Sequence, residues 1–379
     1  MPRFTAIAAP GLEPIVAAEL AEHGLTPTVE PGGVLFDAEF ADAARLVRGL
    51  RTPARLLVTV AEGRVHTPEE LVGLVRKGRW KELVHPTAKL EVSATCTRSR
   101  LRFREVVAKK VAWAIGEVLK GPRVPDREKR PTQPQRISVR LLEDICTLSL
   151  DVGGELLHLR GWRQDQGPAP MRENLAASCL RAMGWNGEEP LVDPFCGSGT
   201  FVIEGALLAL GRSPFSRRSF ACEEWPVLAK ATARTARATS PGRSAPHGPR
   251  EHARAAPNVL VLGADRDARV LAAAEANARR AGVEIQLRRV DVADLEAPAP
   301  LGLVVANPPW GERLAPDART AHRTWEAFGH TLQQRFVGWR AAFLAPDASL
   351  AQRAHPRARR ILGFTNGGIK VGLWGVDEV

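Results

Sequence analysis

Several short apolar runs in this chain end abruptly on one polar residue. Leu191-Val192 ends on Asp193, and Val259-Leu260-Val261-Leu262-Gly263-Ala264 ends on Asp265. Gln286 to Val290 leads to Asp291, and Leu301-Gly302-Leu303-Val304-Val305-Ala306 ends on Asn307. Unbroken apolar runs of this length read as buried strands. Pro308-Pro309 stops the last one, because two prolines neither extend a strand nor open a helix interior. Helical spacing follows the runs, through Ile203 to Leu207, Val270 to Ala281 and Thr324 to Arg335. Strands alternating with helices predict an α/β unit with a buried sheet, whose ligands bind beyond the carboxyl ends of the strands. A lone acid there would serve as a helix cap. Three acids and an asparagine, each after a successive apolar strand, point to a shared ligand.

The amino half has a different rhythm. Phe4 to Ala8 predicts a strand, Leu12 to Leu20 a helix ended by Gly24, and Gly32-Gly33 a turn into a strand at Val34 to Asp37. A helix over Ala41 to Leu50 and a strand over Arg55 to Ala61 complete a β-α-β-β-α-β order, the mark of a ferredoxin-like domain over residues 1–62. Residues 63–165 form a second block. It contains a helix capped by Thr67, a strand over Lys89 to Ala94, a helix reaching Leu119 and a proline- and charge-rich loop at 121–136. A hairpin around Glu143-Asp144 and a strand over Leu156 to Gly161 close it. A linker at 163–170 leads into a third unit, 166–379. Within that unit, residues 230–257 read as a flexible basic insert. A final strand pair around Ile361 to Phe364 and Ile369 to Trp374 is joined by Asn366-Gly367-Gly368.

Composition narrows the classes. The 379 residues are 44% hydrophobic and 25% charged, ordinary for a globular protein. Fifty-three basic against 42 acidic residues give a net charge of +11, which fits a polyanionic partner, nucleic acid before membrane, although a basic proteome would give the same balance. Cys96, Cys146, Cys179, Cys196 and Cys222 show no metal spacing and no disulfide framework, so neither a metal nor an oxidising compartment is expected. The amino terminus lacks a signal-peptide pattern and no apolar run reaches transmembrane length, so a cytoplasmic location without a membrane partner is expected. Arg98, Arg100, Arg102 and Arg104 alternate along one stretch around Phe103. Guanidinium groups there can contact RNA phosphates and stack on bases; a solvated basic loop would show the same pattern. Arg160 and Arg163, in Arg160-Gly161-Trp162-Arg163, are further RNA-contact candidates.

Two motifs carry chemistry. In Asp193-Pro194-Phe195-Cys196-Gly197-Ser198-Gly199-Thr200 a tight glycine loop opens a helix. Gly197 and Gly199 admit close backbone approach, and the helix start offers free N–H groups. The spacing is neither the dinucleotide fingerprint nor a phosphate loop. Asp193 just before it would repel phosphate and attract an ammonium or sulfonium, which points to S-adenosylmethionine. Asp265 is placed to hold ribose hydroxyls, with Asp267 as a second candidate or a helix cap. Asn307-Pro308-Pro309-Trp310 suits an exocyclic amine. The Asn307 side-chain oxygen and the Pro308 carbonyl can accept its two hydrogens, and Trp310 can stack on the base.

These motifs, with Gly263-Ala264-Asp265-Arg266-Asp267, Asp291-Val292 and Asn307-Pro308-Pro309-Trp310-Gly311-Glu312-Arg313-Leu314, stand in an order that resembles class I methyltransferases of RNA guanine-N2. Leu156 to Arg163 and Ala169 to Ala176 resemble the junction between a THUMP RNA-binding domain and the catalytic domain of the 23S rRNA guanine-N2 methyltransferase family. The resemblance covers nearly the whole chain. It implies a Rossmann-like methyltransferase domain preceded by α+β ferredoxin-like and THUMP domains. It implies S-adenosylmethionine as cofactor, with Asp193, Cys196, Gly197, Ser198, Gly199 and Thr200 at its methionine half, Asp265 and Arg266 at the ribose, and Asp291 and Val292 at the adenine. Asn307, Pro308, Pro309 and Trp310 would form the catalytic set on a 23S rRNA or tRNA substrate, with a monomer expected. The chain departs from the family in having Trp310 where tyrosine is usual, and in lacking tyrosine altogether. Some relatives carry a second methyltransferase domain after the first, so a single modification is expected. A DNA adenine methyltransferase and a non-catalytic RNA-binding protein are the rival readings.

Overall fold

The computed structural model describes residues 1–120, 133–165, 171–215, 218–228, 259–310, 318–366 and 368–379. The whole of the expected basic insert, the 121–132 part of the expected loop and the 166–170 part of the linker lie outside them. So do Gly367 and the residues Gly311-Glu312-Arg313-Leu314.

The described chain builds two seven-stranded sheets. The first runs β2-β3-β1-β4-β7-β6-β5. Its strands are β1 (Arg3–Ile7), β2 (Thr28–Glu30), β3 (Gly33–Asp37), β4 (Arg55–Arg64), β5 (Leu90–Thr97), β6 (Gln135–Leu142) and β7 (Ile145–Asp151). Every pairing in it is antiparallel except β5 with β6. That pair is linked through the helix Arg104–Leu119, as a parallel crossover requires. The ten-residue β4 pairs with β1 on one edge and with β7 on the other, running past residue 62 to Arg64. The blocks 1–62 and 63–165 therefore share one continuous sheet.

No strand forms over Leu156 to Gly161. Gly154 and Gly161 take left-handed backbone, φ 80° and 93°, which breaks extension. The carbonyls of Leu156 and Leu159 are met not by a ladder but by Arg218 Nη1, at 2.8 and 2.7 Å.

The second sheet runs β10-β9-β8-β11-β12-β14-β13. Its strands are β8 (Leu191–Asp193), β9 (Val261–Asp265), β10 (Gln286–Arg289), β11 (Leu303–Ala306), β12 (Arg340–Ala345), β13 (Arg359–Asn366) and β14 (Ile369–Val376). From β10 to β12 all neighbours are parallel, and β14 inserts antiparallel between β12 and β13. Alternate residues face opposite layers. Leu191, Val261, Leu303 and Val305 pack with Leu175, Val202 and Ile203 from the helices Glu173–Ala182 and Thr200–Ala209. Val192, Leu262 and Val304 pack with Trp325, Phe328 and Leu332 from the helix Ala318–Arg335. Burial on both faces explains why the sequence shows unbroken apolar runs rather than alternation. Each fully buried ring such as Trp325 or Phe328 contributes roughly 1.5–3 kcal/mol.

The two units are in close contact. Leu12 packs into the core of the second sheet, and a Cβ at Gly11 would stand 2.0 Å from the Gly363 carbonyl oxygen. No described helix is long and apolar enough to cross a membrane.

Candidate active site

Parallel strands bring the polar end-residues together. Asp193 closes β8, Asp265 closes β9 and Asn307 follows β11, all at carboxyl ends of neighbouring strands. Beside them lies a cavity of about 500 Å³, a size suited to a small cofactor. Asp193, Cys196, Gly197, Ser198 and Thr200 line it from the glycine loop, Asp265 and Arg266 from β9, Asp291 and Val292 from the end of β10, and Asn307 and Pro309 from the end of β11. Gly199, Pro308 and Trp310 do not line it.

The loop is built by glycine. Gly197 and Gly199 have φ of 50° and 90°, and Gly199 caps the helix Thr200–Ala209. A Cβ on Gly199 would sit 3.2 Å from Ala274 Cβ. The Cys196 amide donates to the Ala264 carbonyl at 3.0 Å, laying the loop over β9. Gly263 permits this, since a Cβ there would be 3.0 Å from Cys196 Sγ. Buried Asn277 donates to the Ser198 carbonyl at 3.1 Å. Sequence reasoning gave Gly263 no role of its own and did not name Asn277, because each acts through a neighbour in space.

The carboxylates divide into two kinds. Asp193 is buried and accepts from the Phe195 amide at 3.0 Å. Burial pushes its carboxyl well above the usual range, and the charge of Asp265 adds to the effect. Asp265 accepts from the amides of Gly197 (3.1 Å) and Asp267 (3.0 Å), and burial raises its pKa too. Asp267 is instead the cap of the helix Ala268–Ala281, accepting from the Arg269 amide at 2.9 Å. Its hydrogen bonds with the Arg269 side chain hold its pKa down at about 2. Asp291 caps the short turn Val292–Asp294 through the Ala293 amide at 3.0 Å. Burial pushes the Cys196 thiol far up, so it is a neutral lining residue and not a thiolate.

Asn307 stands apart from these satisfied groups. Among the described residues its side-chain oxygen is buried without a hydrogen-bond partner, as is the indole nitrogen of Trp310. A buried acceptor left unpaired costs roughly 1–3 kcal/mol, so the position favours a donor that the described residues do not supply. Trp325 Nε1 donates to the Pro309 carbonyl at 3.0 Å and anchors the turn. The Trp310 ring is partly buried against the apolar layers on both faces of the sheet. Sequence reasoning missed Trp325, and it missed the cavity-lining Met171, Phe201, Val270, Arg323 and Thr324. They come from elements that only folding brings to the strand ends.

The six candidate RNA-contact arginines separate cleanly. Arg98, Arg100, Arg102 and Arg104 lie at and before the start of the helix Arg104–Leu119, on the outside of the molecule. Arg98 pairs with Glu143 at 2.9 Å and Arg100 lies 3.6 Å from Asp144, whereas no carboxylate among the described residues pairs with Arg102 or Arg104. Arg160 and Arg163 correct the sequence reading. Arg160 is fully buried, with Nε 3.0 Å from Glu204 and Nη1 donating to the Leu157 carbonyl at 2.8 Å. Arg163 is almost as deeply enclosed, 3.2 Å from Glu173 and bonded to Met171 and Thr200. Both guanidiniums are thus taken up by partners within the chain.

Among the described residues no cluster of His, Cys, Asp and Glu is arranged to hold a metal. The cavity fits S-adenosylmethionine by its chemistry. Buried Asp193 and half-buried Asp265 favour a cationic ligand, left-handed glycines open its wall, and the Asn307 oxygen offers an acceptor.

A mostly parallel seven-stranded sheet with this strand order and this cavity defines a class I methyltransferase fold. Residues 160–373 match the RMKL-like methyltransferase domain, and residues 3–57 match the RlmL ferredoxin-like domain. The chain belongs to the RMKL-like methyltransferase family. It is 35% identical to "Ribosomal RNA large subunit methyltransferase K/L" of Methylococcus capsulatus, over 99% of this chain and 51% of that one. The chain thus spans about half the length of that curated relative. It is 30% identical to "Putative RNA methyltransferase YpsC" of Bacillus subtilis, over 98% of this chain and 95% of that one. Among solved structures, SMU.472, "a putative methyltransferase complexed with SAH", superposes with a TM-score of 0.83 at 27% identity, over 100% of this chain and 98% of that one. A "predicted N6-adenine-specific DNA methylase" from Listeria monocytogenes superposes equally well at 28% identity, over 100% and 96%.

Proposed function

We propose that the protein transfers a methyl group from S-adenosylmethionine to the exocyclic N2 amine of a guanosine, in 23S rRNA. The observation that carries this reading is the buried side-chain oxygen of Asn307, unpartnered among the described residues, at the wall of a cavity lined by Asp193 and Asp265. Bound S-adenosylmethionine supplies an electrophilic methyl group. Asp193 and the loop Cys196 to Thr200 hold its methionine half, Asp265 and Arg266 the ribose, and Asp291 and Val292 the adenine ring. Asn307 accepts a hydrogen from the guanine amine and turns the nitrogen lone pair toward the methyl. The Pro308 carbonyl accepts the second hydrogen, and Trp310 faces the base. The gain is mainly positional. Trp325 keeps the turn fixed through the Pro309 carbonyl.

The base must leave its helix or loop to reach this depth. We assign the grip on RNA to the amino-terminal sheet, with residues 63–165 as its THUMP part. Arg98, Arg100, Arg102 and Arg104 are its phosphate contacts, joined by exposed Phe103. The protein works on cytoplasmic RNA as a monomer, with no membrane partner.

The test is methyl transfer from labelled cofactor to unmodified total RNA, separated into rRNA and tRNA and digested to nucleosides. The expected product is N2-methylguanosine in large-subunit rRNA. Asn307→Ala lowers the rate by about a hundredfold or more while cofactor binding persists. Label in tRNA moves the substrate and keeps the chemistry. Label on adenine overturns the guanine assignment, and no label in any RNA despite bound cofactor leaves the non-catalytic alternative.

A further inference from the structure

Three arginines from outside the glycine loop line up along the helix that starts in it. Arg163 donates to Thr200 Oγ1, Arg160 Nε is 3.0 Å from Glu204 Oε1, and Arg51 Nη2 donates to the Leu207 carbonyl at 3.1 Å. Thr200, Glu204 and Leu207 stand four and three residues apart, so they form one face of the helix Thr200–Ala209. Only the first of these contacts reaches the cavity wall. The Arg163 guanidinium also donates to the Met171 carbonyl at 2.5 Å, and its Nε lies 3.2 Å from Glu173. Met171 and Thr200 both line the cavity, while Arg163 itself does not.

We propose that Arg163 is a positioning residue for the cofactor. It joins Met171 to Thr200, two wall residues on different elements, and so shapes the cavity before the ligand arrives. The inference rests on reading the cavity as the S-adenosylmethionine site. A guanidinium suits the task because its planar fork holds several acceptors in fixed directions, which an ammonium does not. Glu173 offsets the buried charge, so the clamp does not depend on ligand binding. The neighbouring segment is fixed on its other side. Asn277 donates to the Asp165 carbonyl at 3.0 Å as well as to Ser198, and Arg280 Nε donates to the Trp162 carbonyl at 2.9 Å. The stretch 162–165 is thereby braced between the helix Ala268–Ala281 and the glycine loop.

A preformed wall lowers the cost of binding and leaves the chemical step alone. The experiment measures S-adenosylhomocysteine affinity of the full chain by calorimetry without RNA, then KM for S-adenosylmethionine and kcat at saturation. Arg163→Gln weakens affinity and raises KM by about tenfold, the worth of one charge-assisted hydrogen bond, with kcat little changed. Arg163→Lys recovers part of the loss. Thr200→Val removes the same bond while sparing the arginine's other contacts, and gives the same kind of defect. The double variant is no worse than Arg163→Gln alone, since their shared interaction is removed only once. Arg160→Gln, whose partner Glu204 lies one turn along the same helix, lowers the melting temperature and leaves ligand affinity within about twofold of the parent. The proposal is overturned if Arg163→Gln and Thr200→Val bind as the parent does, or if Arg160→Gln loses as much affinity as Arg163→Gln. A parent protein that does not bind S-adenosylhomocysteine at all overturns the cofactor reading beneath it.

Discussion

Two groups of arginines look alike in the sequence and do opposite work in the fold. Arg98, Arg100, Arg102 and Arg104 alternate on an outer stretch that follows the edge strand of the amino-terminal sheet, and two of them lack a carboxylate partner among the described residues. Arg160 and Arg163, a short motif away from the catalytic unit, are buried against Glu204 and Glu173. Arg51 joins them, 3.8 Å from Glu204. Spacing in the chain does not separate the groups. What separates them is the presence of a buried carboxylate within reach, which only packing supplies. A basic motif at a domain junction is thus as apt to be internal mortar as a nucleic-acid contact.

The sharpest way to break this contrast is at Arg160. Arg160→Met leaves Glu204 buried with only the more distant Arg51, so it costs about 3 kcal/mol, toward the lower end of what a broken buried pair loses. Denaturant unfolding reads the change. A loss below about 0.5 kcal/mol, the usual range for a surface site, would erase the distinction.

On the exposed side the readout is RNA affinity rather than stability. Replacing Arg102 and Arg104 together by alanine leaves unfolding nearly unchanged. It weakens RNA binding and flattens the plot of log affinity against log salt by about 1.5, if each contacts one phosphate. An unchanged slope would remove these residues from the RNA surface. Arg98→Ala has a smaller effect, because Glu143 already holds that side chain in an exposed pair worth about 0.2–1 kcal/mol.

The acids show the same contrast in a milder form, and pH is its probe. Burial raises the pKa of Asp193 and Asp265 in the free protein, while a cationic ligand favours their ionised forms. The complex therefore binds fewer protons than the free protein where they titrate. Cofactor affinity is full above the raised pKa values and falls as pH is lowered through them, above the ordinary carboxylate range. Calorimetry across pH checks this. Half-buried Asp267 also lines the cavity, but Arg269 holds its pKa at about 2, so it does not titrate in that fall and Asp267→Asn leaves the profile in place.

Much of the catalytic unit was legible in the chain. Leu191, Leu262 and Val304 announced buried parallel strands because both faces of that sheet are covered. Asp193 and Asn307 stood out because one ends a strand before a glycine loop and the other before two prolines, and Asp265 because it closes an apolar run. The packing of Trp310 was not legible: its ring is partly buried against both apolar layers. Leu156 to Gly161 looked like a strand, yet its carbonyls are taken by Arg218, a residue far along the chain.

Periodicity, glycine and proline act within a few neighbours, so the order of residues was enough to specify most elements, their succession and the polar group at each strand end. Folding had to settle which arginines are buried, that β4 runs through both amino-terminal blocks, and that Trp325, Asn277 and Gly263 serve the site. It also settled that Asp267 caps a helix while Asp265 reaches across to the glycine loop. Those outcomes turn on desolvation and on contacts between residues far apart in the chain. Neither has a local signature, because the cost of burying a charge is set by partners that the chain meets only after it has folded.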